Sequence, residues 1–351
     1  MPKAYPFAAI AVGVAIVLVQ PVFSQQGPYK VLRTAKVGGD GGFDYVYADT
    51  AGRRLYVPRS GPGGRITVFN LDTLEPAGEI ADVNAHGAAV SAKTQHGFGS
   101  SKPVAMWDTK NMSLMKKIDV QGGPDGILYD GFNDRIWILS HSSPHATVIN
   151  ASDGSIAGTL DLGGAPEQGA TDGKGHIYID IEDKDNIAVV DAKALTVTGH
   201  YDLAGKGGTC AGLALDVKNE ILFAACRNPQ TMVVLSAKDG KILDTLPIGR
   251  GTDGAVFNPS TMEAFSSQGD GTLTIVKENS PTTFAVEQNL DTMQGAKTLT
   301  LDGKTGHILL IAAEYTPPPA PPAGAPPPAP GRGRGRGQMV PGSFSIIEVG
   351  K

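Results

Sequence analysis

Seven positions, recurring at roughly 40-residue intervals, carry the side chains best suited to chemistry in this sequence. They are Asp44, His86, Asp125, Glu167, Ala211, Asp253 and Lys297. If the fold brings them together, four carboxylates, an imidazole and an ammonium share one rim. Crowded carboxylates raise each other's pKa and attract a cation or a donor-rich ligand. Asp44, His86, Asp125, Glu167, Asp253 and Lys297, joined by Arg227 from a neighbouring loop, are therefore the expected ligand-binding residues. His86, His141, His145 and Glu167 could together hold zinc or another divalent transition metal, because imidazole and carboxylate suit those ions. A base must titrate near neutrality, which makes His86 or His141 the candidate general base of any hydrolase. The plain alternatives are a water-filled polar mouth and solvent-exposed loop histidines. His141 and His145 flank a proline-containing loop, not a helix face.

The elements that position these residues are short strands. Within Gln121–Leu162 four strand-like runs, 126–129, 135–140, 146–150 and 155–162, alternate with the turn clusters DGFND, SHSSPH and NASDG. Gly, Asn, Asp and Ser suit turns because they tolerate unusual φ values and bond locally to the backbone. Seven such units follow one another at 38–80, 81–120, 121–162, 163–203, 204–248, 249–292 and 293–351. The last strand of the sixth is weak in pattern. The seventh unit has no fourth strand, whereas a spare strand-like run, YKVLRTAKV at 29–37, precedes the first. Pairing deficit with surplus closes a ring and removes both exposed sheet edges. The expected fold is all-β, a seven-bladed β-propeller closed by the N-terminal strand pairing with the last blade. The loops that enter each inner strand and those that join its second and third strands then share one mouth. Arg59, Lys102, His141, His145, Glu182, Arg227 and Glu314 lie in the latter loops.

The runs RLYV and ITVFNLDT in the first unit, with the later variants IAVVDAKA and VVLSAKDG, resemble the YVTN (YncE-like) seven-bladed β-propeller family. The resemblance spans residues 29–351 apart from a proline-rich stretch. It implies an exported binding or surface protein without assigned catalysis. More distant propellers carry haem d1 or act as lactonases. A divalent-metal-dependent lactonase-type hydrolase, or a redox accessory protein with a non-covalent cofactor in the channel, is thus the alternative.

The first 24 residues have the make-up of a signal peptide: a cationic start at Lys3, an apolar run over 7–19, and the small Ser24 before Gln25. Residues 25–351 form one domain, expected to be periplasmic or extracellular, without a membrane span after cleavage, and monomeric. The formal charge is −5; without Lys3 it is −6, and setting aside Arg332, Arg334 and Arg336 leaves about −9 for the folded body. Such a body repels phosphate backbones, so the expected partner is a small molecule, glycan or protein and not a nucleic acid. The arginines belong to a Pro and Arg-Gly insertion at 316–337, inside the last unit, whose composition favours an extended solvated loop. No cofactor is predicted, and C-x-x-C-H, G-x-S-x-G, Walker and dinucleotide signatures are absent. Cys210 and Cys226 fall nearly opposite across the hairpin of the fifth unit, within disulfide reach in an oxidising compartment.

Overall fold

The computed structural model describes Met1, residues 27–317 and residues 337–351. The expected signal peptide, apart from Met1, and most of the proline-rich insertion lie outside the described residues. Among the described residues every regular element is a strand. The strands form seven antiparallel four-stranded sheets, six of them built from consecutive strands. The third runs Pro124–Asp130, Arg135–Ser140, Ala146–Asn150, Ile156–Leu160 from the inside outward. The seventh sheet takes its outermost strand from the other end of the chain. Lys30–Lys36 pairs with Ser345–Gly350, from Lys30 opposite Gly350 to Lys36 opposite Ser345. This closes the ring of blades.

The first hairpin of each blade turns on one backbone device. The residue just before the second strand has positive φ at Arg53, Gln95, Asp134, Glu220 and Met262, and glycine fills the corresponding position at 175 and 306. Asx-type bonds support these turns, as where Asp130 Oδ1 accepts from the Phe132 N–H at 3.2 Å. The sixth blade's last strand is stronger than its sequence pattern. Thr283–Asp291 runs nine residues beside Thr272–Ser280, with two register shifts that the pattern hid.

Side chains alternate across each strand, so both faces of a blade are apolar and each buries against a neighbour. Trp137, Leu139 and Val148 of the third blade pack with Ile177, Ile179 and Val190 of the fourth. Equivalent clusters fill every junction around the ring, including that between the last blade and the first. Tyr56 and Trp107, fully buried with ring centroids 5.7 Å apart, join the first blade to the second. Large aromatics are therefore inter-blade cement, each worth about 1.5–3 kcal/mol of apolar burial. The insertion leaves and returns at one place: Thr316 N–H donates to Gln338 O and Val340 N–H to Glu314 O, both at 2.9 Å. Its feet thus stand side by side between the second and third strands of the last blade.

Candidate functional site: a ring of charged side chains at one mouth

The inner-strand starts converge, as the repeat implies, and their side chains join into a closed circuit. Lys297 Nζ donates to Asp44 Oδ1 at 3.0 Å. Asp44 Oδ2 lies 3.2 Å from His86 Nδ1, which lies 3.1 Å from Asp125 Oδ1. Asp125 Oδ2 faces His141 Nε2 at 3.4 Å, and His141 faces Glu167 Oε1 at 3.8 Å. The Glu167 and Glu182 carboxyls adjoin, and each shifts the other's proton affinity. Glu182 Oε1 accepts from Arg227 Nη1 at 2.7 Å, Arg227 reaches Asp253, and Asp253 returns to Lys297. Every blade contributes. Ala211 leaves a gap in the fifth, and Arg227, at the end of that blade's second strand, fills it.

A covalent bond steadies that substitution. Cys210 and Cys226 stand opposite each other in register and form a disulfide. Their chain neighbours are Ala211 and Arg227, so the bridge pins both strands beside the guanidinium. A further bond from Arg227 Nε to Thr252 O, 2.9 Å, ties the side chain to the sixth blade.

Directly behind the ring, inner strands and their side chains crowd the channel. The residue after the ring position is glycine in four blades, at 87, 126, 212 and 254. A Cβ on Gly126 would lie 2.5 Å from Glu167 O, and one on Gly212 would lie 2.6 Å from the Gly254 carbonyl carbon. At Gly126 and Gly212 the inner strands approach so closely that only glycine fits, whereas Gly87 and Gly254 face the Ile127 and Leu299 side chains. In the other three blades this position holds Tyr45, Gln168 and Thr298, and each bonds to another blade. Tyr45 O–H crosses from the first blade to Glu167 Oε2 in the fourth at 3.1 Å. Gln168 Oε1 accepts from Leu213 N–H and Ala255 N–H at 3.0 Å, and its Nε2 donates to Ala255 O at 3.1 Å. Thr298 O–H donates to Asp44 O. The mouth is thus a bowl behind which the Tyr45 and Gln168 side chains cross the channel.

Electrostatics follow from this crowding. The Asp44 hydrogen bond lifts His86 above its ordinary value, against the cost of partial burial. The neighbouring Glu167 carboxylate, with Asp125 and Glu182 beyond it, lifts His141 to about 9. Burial and the Glu167 charge push Glu182 up to about 7. Burial raises Asp125, aided by Asp44 and Glu167 and opposed by the two histidines. At neutral pH the His141 imidazole carries a proton and Glu182 is poised. Asp180, fully buried beneath and hydrogen-bonded from Gln168 N–H at 2.6 Å, is driven strongly toward its neutral form by burial and by Glu167.

All the expected ligand-binding residues meet at this mouth: Asp44, His86, Asp125, Glu167, Asp253, Lys297 and Arg227. Of the residues proposed for metal, three find partners that the proposal did not include: among the described residues His86 groups with Asp44 and Asp125, and His141 and Glu167 group with Asp125, donor atoms within 4.8 Å of one another in each case. His145 departs from the sequence reading and joins neither. Its backbone closes the loop by accepting from Ser140 N–H, and its Nδ1 lies 2.6 Å from Asp161 on the blade's outer side. Sequence reasoning missed Tyr45, Gln168 and Asp180, although the alternation of glycine with larger residues after the ring position marks the first two. Arg59 is also not a mouth residue. It lies buried over the Phe344 ring at 3.8 Å.

Comparison with known proteins bears on the fold. A chain of the solved structure described as the crystal structure of the mitotic checkpoint complex superposes with a TM-score of 0.68 at 11% identity, over 88% of this chain and 95% of that one. The WD40 repeats of RRP9 superpose with a TM-score of 0.67 at 12% identity, over 92% and 99%. At such identities the likeness shows the seven-bladed propeller alone. No family model matches the chain, and no curated protein does.

Proposed function

We propose that this protein is an exported binding propeller of the YVTN type that captures a small polar ligand at the ringed mouth. The observation that carries this is the circuit of acids and bases drawn from all seven blades, backed by side chains that bridge the channel. Such a bowl offers donors and acceptors in alternation, at fixed positions, with His86 and His141 half-exposed at 48% and 45%. A glycan or a protein side chain presenting the same groups would be read by the same atoms. The leader-like N-terminus and the Cys210–Cys226 bridge support a place outside the cytoplasm. The YVTN-like runs support the family reading.

The test is a thermal-shift screen of sugars, hydroxy acids and amino acids against the mature chain and a His86→Ala/His141→Ala variant. A ligand of the mouth raises the wild-type melting temperature with concentration as mass action requires and loses that effect in the variant. A shift of equal size in both proteins places binding elsewhere and refutes the reading. The two histidine–carboxylate groupings favour one second reading, a metal-dependent hydrolase of lactonase type. Chelator-sensitive lactone turnover would identify it.

A further inference from the structure

The two donor groupings are related in a way that a mere belt of ion pairs does not require. Each uses a different oxygen of the same carboxylate: Asp125 Oδ1 faces His86 and Oδ2 faces His141. Each is completed by a second acid, Asp44 Oδ2 on one side and Glu167 Oε1 on the other. Each of these acids has its remaining oxygen held by a fixed donor, Lys297 Nζ on Asp44 Oδ1 and Tyr45 O–H on Glu167 Oε2. Outer partners of this kind orient ligating carboxylates in metal sites. Asp125 Oδ1 is shielded from solvent and has no well-aligned hydrogen-bond donor, although His86 Nδ1 is 3.1 Å away. That is the position of an atom waiting for a partner other than a proton donor.

Distances agree with that reading. Around an ion with bonds of about 2.0–2.1 Å, tetrahedral neighbours lie roughly 3.3 Å apart. The histidine–carboxylate pairs here lie at 3.1, 3.2, 3.4 and 3.8 Å, and all donors within each group lie within 4.8 Å of one another. From these observations, and resting on the reading of the mouth as the functional site, we infer a pair of adjoining divalent transition-metal sites bridged by Asp125. Asp44 and His86 complete one, and His141 and Glu167 the other. One imidazole and two carboxylates per ion favour zinc or manganese over magnesium or calcium, which prefer all-oxygen shells. Three protein donors leave each ion an open position toward the bowl, where a ligand's oxygens would complete the shell.

The experiment uses the full mature chain, stripped with chelator and dialysed. It is titrated with Zn2+ alone by calorimetry and with Co2+ alone by visible absorption. The expected result is two equivalents per chain. His86→Ala and His141→Ala should each abolish one equivalent, and Asp125→Asn should weaken both by about 100-fold. Tyr45→Phe removes only an outer partner and should weaken the Glu167-side ion by about tenfold. His145→Ala should change nothing, and circular dichroism confirms that each variant is folded. A single equivalent, undiminished uptake in Asp125→Asn, or equal loss in His145→Ala would overturn the inference. Organic ligand binding with no ion uptake would also overturn it while leaving the binding reading intact. Two ions bound with no organic ligand would uphold it and count against that reading.

Discussion

The two sides of the mouth solve the same problem with different bases. On the side of the second to fourth blades, carboxylates are interleaved with His86 and His141, whose side chains are half-exposed. On the side of the fifth to seventh blades they are interleaved with Arg227 and Lys297, which are less exposed, at 30% and 27%. An arginine or a lysine so placed keeps its charge through the physiological range. Burial works against both cations, but Asp253, with Glu182 or Asp44, holds their protons more firmly still. This half is permanently paired and ties three blades together. The histidine half can lose its protons, so its carboxylates can be released to another partner. One side reads as scaffold and the other as the responsive surface.

The comparison is broken most severely at Asp253. It is the one acid that both permanent cations share, and it is itself buried at 8% exposure. Replacing it with alanine strips both partly buried cations of their shared counter-charge and leaves only Glu182 to Arg227 and Asp44 to Lys297, at an expected cost of about 3 kcal/mol. Asp125→Ala on the other side should cost markedly less, because the flanking imidazoles can shed their charge. Chemical denaturation of both variants measures this. Equal losses would mean that the two sides do not differ in kind.

Removing the disulfide sharpens the contrast. Cys210 and Cys226 are 16 residues apart, and a loop of that size corresponds to about 3 kcal/mol on the chain-entropy account. A Cys210→Ser/Cys226→Ser variant should lose that stability and loosen Arg227, leaving the His86 and His141 resonances in place. Denaturation midpoints and histidine NMR spectra check the two halves of this expectation. Movement of the histidine resonances as large as that of the fifth blade would show a ring that yields as one body.

Much of this organisation is legible in the sequence, and the limits are physical. The 40-residue recurrence, the missing fourth strand of the last unit and the spare N-terminal strand determine the closed propeller, because both ends need a partner. Alignment of the repeats likewise finds the inner-strand starts, and hence Asp44, His86, Asp125, Glu167, Asp253 and Lys297. It does not find the circuit. Glu182 just follows the second strand of its blade and Arg227 ends the second strand of its own, and whether a side chain at such a strand end turns inward depends on tertiary packing. His145 shows the same limit from the other side: adjacent in sequence to the third strand, it is drawn outward by Asp161. Tyr45 and Gln168 were hidden because their hydrogen bonds cross the channel, between blades about 80 to 120 residues apart in sequence.

The smallest effect is the one that separates the two sides by titration alone. His141 has a folded-state pKa of about 9 against an ordinary 6.5. A raised value means that its stabilising contribution is complete below pH 6.5 and is lost as pH rises through about 9. Glu182, raised to about 7 from 4.5, withdraws its contribution earlier, as pH climbs between those two values. Arg227 and Lys297 are both raised and withdraw nothing in either window. The alkaline loss of stability therefore belongs to the histidine side. Solvent screening of a half-exposed side chain limits the His141 share to about 1 kcal/mol. His141→Gln should flatten the decline in unfolding free energy between pH 6.5 and 9 while leaving the Glu182 window nearly unchanged. Parallel pH profiles for wild type and variant would assign the decline to other groups and remove the electrostatic distinction between the two sides.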